Sequence, residues 1–162
     1  MRRPVVAVVL GALMLSLVSG VPGAQARTEA HSTSCALSSV VKFRPGLVED
    51  HGTQSEIRFG FTLSQCQGGG VTSATGFGGG VGKLRCSAGR AVAKAEVYWN
   101  TGKTSGLNFI MSLTRRSLHG QVVDGLFKGE RMSVTNLSIR PLRGDCVTSP
   151  LTKAKVKGTL GL

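Results

Sequence analysis

Apolar and polar residues alternate with a period of two wherever this chain shows a clear pattern. From Ser55 to Cys66, Ile57, Phe59, Phe61 and Leu63 interleave with Glu56, Arg58, Gly60 and Thr62. Between Thr104 and Thr114 the apolar set is Leu107, Phe109, Met111 and Leu113. Near the end, Ala154, Val156, Gly158 and Leu160 alternate with Lys153, Lys155, Lys157 and Thr159. Alternation of this kind gives a strand one buried and one wet face, whereas a helical period would scatter the same residues around an axis.

Five weaker runs complete the set: Ser38 to Arg44, Val81 to Cys86, Val92 to Trp99, His119 to Asp124 and Arg131 to Arg140. Turn residues separate them, including Pro45-Gly46, Asp50-His51-Gly52, Asn100-Thr101-Gly102, Asp124-Gly125, Lys128-Gly129 and Arg143-Gly144-Asp145. The pattern predicts an all-β fold, a single antiparallel meander of about eight strands. Its edges must be hidden by closure into a barrel or by stacking as a sandwich. The barrel is favoured because no long connection marks a Greek-key crossover. One segment departs from the pattern: Gly68 to Gly80 carries seven glycines in thirteen residues. Its backbone entropy predicts a mobile loop, either a plain linker or a flap with Phe77 as its apolar contact.

The start of the chain changes the context. Met1-Arg2-Arg3 precedes the apolar run Val5 to Val21, which is followed by Ala24-Gln25-Ala26. A basic start, an apolar stretch and small residues at a cleavage site predict a secretory leader over residues 1–26. The alternative, a retained membrane anchor, is opposed by Gly11, Ser16, Ser19 and Gly20 within the run. The exported part, residues 27–162, is then one disulfide-stapled β domain in the extracellular space or cell envelope, with no transmembrane span. Of the twenty Lys and Arg residues two lie in the leader, and the rest set against eight acids leave +10. Such an excess suits anionic partners, an anionic glycan or an envelope polymer, and also keeps a secreted protein soluble.

All four cysteines, Cys35, Cys66, Cys86 and Cys146, fall in the exported part. An even count in an oxidising compartment reads as two disulfides with three possible connectivities. Cys35 with Cys66 and Cys86 with Cys146 is favoured, since the first pair brackets one predicted hairpin. The spacings fit no zinc motif, and neither a metal nor a cofactor is implied.

Catalytic signatures are missing. There is no G-x-S-x-G and no H-E-x-x-H, and His31, His51 and His119 lie at the frayed start, in a turn and at a strand start. A small secreted hydrolase would need a site assembled in space, for instance from His119, Asp124 and a serine. Gly102-Lys103-Thr104 resembles the close of a phosphate-binding loop, but position 97 is valine and a strand follows in place of a helix. The segment reads as a hairpin turn beside Trp99, the chain's single tryptophan. Asn136-Leu137-Ser138 matches a glycosylation acceptor.

Basic residues are more informative. Lys153, Lys155 and Lys157 project from one face of the last strand, and Arg140, Arg143, Arg115 and Arg116 sit near strand ends. The stripe predicts a polyanion-binding face; the competing reading is that lysines on an edge strand block aggregation. Nucleic acid is disfavoured because most of the aromatic residues fall on buried faces.

Two resemblances follow from these residues. Cys35, Lys42-Phe43-Arg44-Pro45-Gly46-Leu47, Leu63-Ser64-Gln65-Cys66, Trp99-Asn100-Thr101-Gly102 and Gly125-Leu126-Phe127-Lys128-Gly129 together resemble small secreted actinobacterial proteins of unassigned function. That resemblance implies a secreted, disulfide-bonded β domain. The hairpin with Trp99-Asn100 before Thr104-Ser105 is similar to one in the avidin and streptavidin family. Those are eight-stranded barrels whose biotin site draws on several tryptophans, and this likeness implies a ligand site at Trp99, Asn100 and Thr104; Phe77 joins it only on the separate reading of the glycine-rich segment as a flap over a cavity mouth. The chain departs from that family in its single tryptophan and its four cysteines. The expectation is a secreted, non-enzymatic β domain that binds a small apolar ligand or an anionic surface; a small hydrolase and a cell-envelope interaction or inhibitor protein are the alternatives.

Overall fold

The computed structural model describes residues 33–162. The leader and cleavage site expected from the sequence, and His31, lie outside the described residues. Eight strands follow one another: β1 (Thr33–Leu47), β2 (Thr53–Gly68), β3 (Ala74–Leu84), β4 (Gly89–Trp99), β5 (Thr104–Ser112), β6 (Ser117–Gly125), β7 (Arg131–Arg143) and β8 (Leu151–Gly161). Each pairs antiparallel with the next, and β1 pairs with β8, so the meander closes into a barrel. Every strand expected from the sequence is present, and the barrel is chosen over the sandwich. Among the described residues no helix is long and apolar enough to cross a membrane.

The glycine-rich segment is a correction. Only residues 69–73 form a loop; from Ala74 onward the chain is strand β3, hydrogen-bonded to β2 and β4 along its length. Phe77 is therefore not on a flap. Its ring points outward, 58% exposed, and stacks on Tyr98 at 5.9 Å between centroids. The entropy cost of the glycines is overridden because their inward face is covered by neighbours. A methyl group built on Gly76 would overlap the Phe61 ring, and one on Gly78 would overlap the Phe59 ring. The two rings lie across β3 and occupy the space its side chains would take.

Strand β4 continues the thin wall. Gly78 faces Ala95 and Gly80 faces Ala93 across the β3–β4 register, and the inward positions of β4 are Ala91, Ala93, Ala95, Val97 and Trp99. Bulk is supplied from elsewhere in the barrel, with Phe59 and Phe109 meeting at 5.8 Å. The core divides into two apolar clusters, one around Trp99 and the other around Leu84 and Leu47. Between them lies an apolar cavity of about 70 Å³. A void of that size forgoes about 2 kcal/mol of packing.

Each end of the barrel is tied shut. At the Trp99 end, the Cys35–Cys66 disulfide staples β1 to β2 with Cα atoms 4.1 Å apart. There the Asn100 carboxamide oxygen accepts from the amides of Thr72 and Ser73, at 2.9 and 3.2 Å. At the other end, Cys86 in the β3–β4 turn joins Cys146 in the β7–β8 loop. Those turns stand half-way round the ring of strands from each other, so the bond crosses the barrel mouth. The same β3–β4 turn donates from Ser87 to the Glu49 carboxylate of the β1–β2 turn and from Cys86 N to Val48 O, the latter at 3.2 Å. Both favoured pairings are formed, and two disulfides are compatible with an extracellular protein. By the chain-entropy estimate each contributes about 4 kcal/mol.

The β7–β8 loop is organised by Asp145. Its carboxylate accepts from the Thr148 hydroxyl and from the amides of Val147, Thr148 and Ser149, at 2.8 to 3.1 Å. These donors, the Thr148 hydroxyl foremost, hold its pKa well below the usual carboxylate range.

Two outcomes are expected. Substituting Gly76→Ala or Gly78→Ala drives a methyl into the covering ring and into a β4 carbonyl, Glu96 O or Lys94 O, and lowers stability by about 1 to 3 kcal/mol in guanidinium unfolding; the amides of residues 76–80 exchange with solvent slowly, as strand amides, and rapid exchange there contradicts the placement. Because the Asp145 pKa is depressed by folding, its stabilising contribution is complete above the ordinary Asp value, about 3.9, and is lost as pH falls below it. The urea midpoint difference between wild type and Asp145→Ala is then constant from neutral pH down to about 4 and shrinks at lower pH.

Candidate functional site

Side chains at cross-strand partner positions stand on the same face of the sheet, roughly 4.8 Å from strand to strand. Register therefore decides which cations become neighbours. Arg143 on β7 is opposite Lys153 on β8, Lys153 is opposite Lys42 on β1, and Lys42 is opposite Arg58 on β2. This row of four cations runs across four strands over about 14 Å. Next to it, Arg140 is opposite Lys155, while Ser138 is opposite Lys157. Arg44 lies beyond Lys42 on the outer face of β1.

Charge is distributed unevenly around the barrel. Strands β7, β8, β1 and β2 carry nine Lys or Arg and one acid, Glu56; strands β3 to β6 carry three Lys or Arg and two acids, Glu96 and Asp124. Lys42, Arg44, Arg58, Arg140, Arg143 and Lys157 are exposed, while Lys153 and Lys155 are half-buried among their neighbours. The one acid is engaged locally, with Glu56 Oε1 2.6 Å from Arg58 Nε. The opposite wall is apolar instead: Val81, Val92 and Ile110 are exposed and in register across β3, β4 and β5. On that wall Tyr98 donates to the Glu96 carboxylate, and this bond raises the phenol above its usual pKa.

Lys153, Lys155, Lys157, Arg140 and Arg143 are thus brought onto one face, as the sequence predicts. Arg115 and Arg116 are not; they sit in the β5–β6 turn. Lys42, Arg44 and Arg58 were not part of the predicted stripe. Their signal, charged residues between apolar ones on β1 and β2, is visible in the sequence, but only closure sets β1 beside β8. Closure also removes the edge-protection reading. Strand β8 is hydrogen-bonded on both sides and has no free edge for its lysines to guard.

The residues of the tryptophan hairpin do not converge on one cavity. Trp99 is 4% exposed, its indole Nε1 donates to Ser105 Oγ at 2.8 Å, and the Ser105 hydroxyl donates in turn to Leu126 O. Its ring meets Phe127 edge-on at 5.2 Å, so it plugs the barrel end. Asn100 pins the β2–β3 loop, Thr104 is exposed at the start of β5, and Phe77 is on the outer wall. Trp99 N donates to Lys103 O at 2.9 Å, and Gly102 takes φ +77°, which closes the Gly102-Lys103-Thr104 segment as a hairpin turn. His119 and Asp124 lie five positions apart on β6, about 16 Å along a strand and beyond hydrogen-bonding reach of each other. Among the described residues no three His, Cys, Asp or Glu side chains gather as a metal-binding set.

Neither a protein-family model nor a curated protein matches this chain.

Replacing Ser105→Ala leaves the buried Trp99 Nε1–H and the Leu126 carbonyl without their shared partner. The expected loss is about 1 to 3 kcal/mol of stability, read by chemical denaturation, together with a red-shifted Trp99 emission as water reaches the indole.

Proposed function

We propose that this chain is a secreted, non-enzymatic domain that binds an anionic polymer, a glycan or envelope polymer carrying carboxylate, sulfate or phosphate groups, along the outer face of β7, β8, β1 and β2. The observation that carries this reading is the cross-strand row Arg143, Lys153, Lys42 and Arg58, flanked by Arg140, Lys155 and Lys157. Nine cations against one acid on half of a small barrel repel one another. An arrangement that concentrates like charge is relieved when an anion neutralises it and releases condensed counterions. A linear polymer fits better than a small anion, since the row is long and open and follows the curve of the wall across four of the eight strands. Export is supported by the leader and by the two disulfides.

The face holds no outward aromatic residue. Phe43, Phe59 and Phe61 of β1 and β2 all point into the barrel. Without a stacking platform the face suits a polymer recognised by its charges, and nucleic bases gain nothing from it.

Retention on immobilised heparin tests the reading. Wild type is expected to bind at low salt and elute as salt rises, and the triple variant Lys153→Ala, Lys155→Ala, Lys157→Ala to elute markedly earlier. The charge-matched control Lys83→Ala, Arg90→Ala, Lys94→Ala, on the other wall, elutes close to wild type. Equal loss in both variants reduces the effect to net charge and overturns the proposal; tighter binding to single-stranded DNA than to heparin overturns the polymer class.

A further inference from the structure

The barrel interior offers a chemistry unrelated to its charged face. The cavity of about 70 Å³ lies at mid-barrel; its exposed lining is apolar, and its one polar lining residue, Ser39, donates its hydroxyl to Gly60 O at 3.0 Å. Apolar voids of this kind stay dry, because a water molecule needs two to four polar partners. Native cores seldom leave a void larger than one water unfilled. Here one larger residue at Ala93 or Ala95, both lining the cavity, would fill it. The protein places alanine there and glycine directly opposite on β3.

The wall next to the cavity is also the weakest seam of the ring. β6 and β7 pair from Leu118 opposite Val134 to Gln121 opposite Arg131, and two more backbone bonds, Val122 N to Glu130 O and Gly129 N to Val122 O, close the turn end of this hairpin. Past Val134, β7 continues to Arg143 paired with β8 alone. Leu118, Met132 and Val134, all in the seam, line the cavity. A short ladder opens locally at lower cost than the long ones elsewhere. Met111 and Met132 border the same space, and their unbranched side chains adapt to a guest more easily than branched ones.

We propose that the barrel interior is a binding site for a small, neutral, apolar molecule, admitted through the β6–β7 seam. Its volume is far below the roughly 300 Å³ at which pockets for drug-sized ligands begin. A charged or hydrogen-bonding group would be stranded there without partners. The guest class is therefore a short hydrocarbon or a small ring.

The chain itself supplies the reporter. Of its four methionines, Met1 and Met14 lie in the leader, and the other two, Met111 and Met132, both line the cavity. Mature protein labelled with ¹³C at methionine methyls is titrated with xenon and with benzene, neutral probes to which the basic face is indifferent. Both methyl signals are expected to shift and saturate. In Ala95→Leu, or in the milder filling variant Ala93→Val, the shifts are expected to fall at least tenfold at equal probe concentration. Absence of saturable shifts in wild type with both probes overturns the site; shifts undiminished in whichever filling variant folds place the probes elsewhere and overturn it too. For the entry path, a disulfide across the seam at His119→Cys and Ser133→Cys, opposite one another, is expected to slow benzene exchange at least tenfold at unchanged affinity. Unchanged exchange overturns the seam as portal.

Discussion

The pairing of β1 with β8 is the interaction on which the rest of this structure depends. Without it the meander is an open sheet with two raw edges and a half-exposed apolar face, and the residues along both edges invite association with other chains. With it, every strand has a neighbour on each side, the apolar face becomes an interior, and Lys153 finds itself beside Lys42. The same ladder of backbone hydrogen bonds therefore makes both the core and the cationic surface. A change of register reaches both: a shift of one residue would turn the β8 lysines inward and Ala154, Val156 and Leu160 outward.

Inside the ring, volume is distributed by contrast. Two adjacent strands give up their side chains, one to glycine and the next to alanine, and phenylalanines from β2 and β5 reach across to fill most of the vacancy. Close packing is achieved at Gly76 and Gly78, where an aromatic ring lies directly on bare backbone. It is not achieved at mid-barrel, where Phe59 packs against both clusters of the core and a gap remains beside it. The disulfides, the ties between turns through Glu49 and Asn100, and the β7–β8 loop ordered by Asp145 all work against the cost of such a gap.

Much of this architecture was legible in the residues. The alternation in β2, β5 and β8 is unambiguous because each has large side chains on one face and polar ones on the other. Closure followed from short connections, and the disulfide pairing followed from Cys35 and Cys66 flanking one hairpin. β3 was legible only at its end, from Val81 on, because hydrophobic periodicity needs side chains and its inward positions have none. What marks it as a strand is Phe59 and Phe61 on β2, a tertiary relation that a local reading does not register. The candidate site was half legible for a related reason. Lys153, Lys155 and Lys157 announce themselves along one strand, but Lys42 and Arg58 join them only through cross-strand register, and β1 and β8 are separated by the whole length of the domain. Trp99 drew attention as a lone tryptophan beside a turn, while its hydrogen bond to Ser105, six residues on, makes it a plug.

The placement of the two disulfides divides the molecule in a way that its outline hides. Cys35–Cys66 encloses β1 and β2 in one covalent loop, and Cys86–Cys146 encloses β4 to β7 in another. The chain passes between these loops once, through residues 67–85, and the passage begins with the exposed Gly68, Gly69 and Gly70. Hydrolysis of a single peptide bond at that turn leaves a two-stranded piece and a six-stranded piece with no covalent connection. They would be held by the β1–β8 and β2–β3 ladders, the bonds from the β3–β4 turn to Val48 and Glu49, and the shared apolar core. A nicked molecule of this kind is a heterodimer that still has the form of a barrel, and its persistence on dilution becomes a question of affinity.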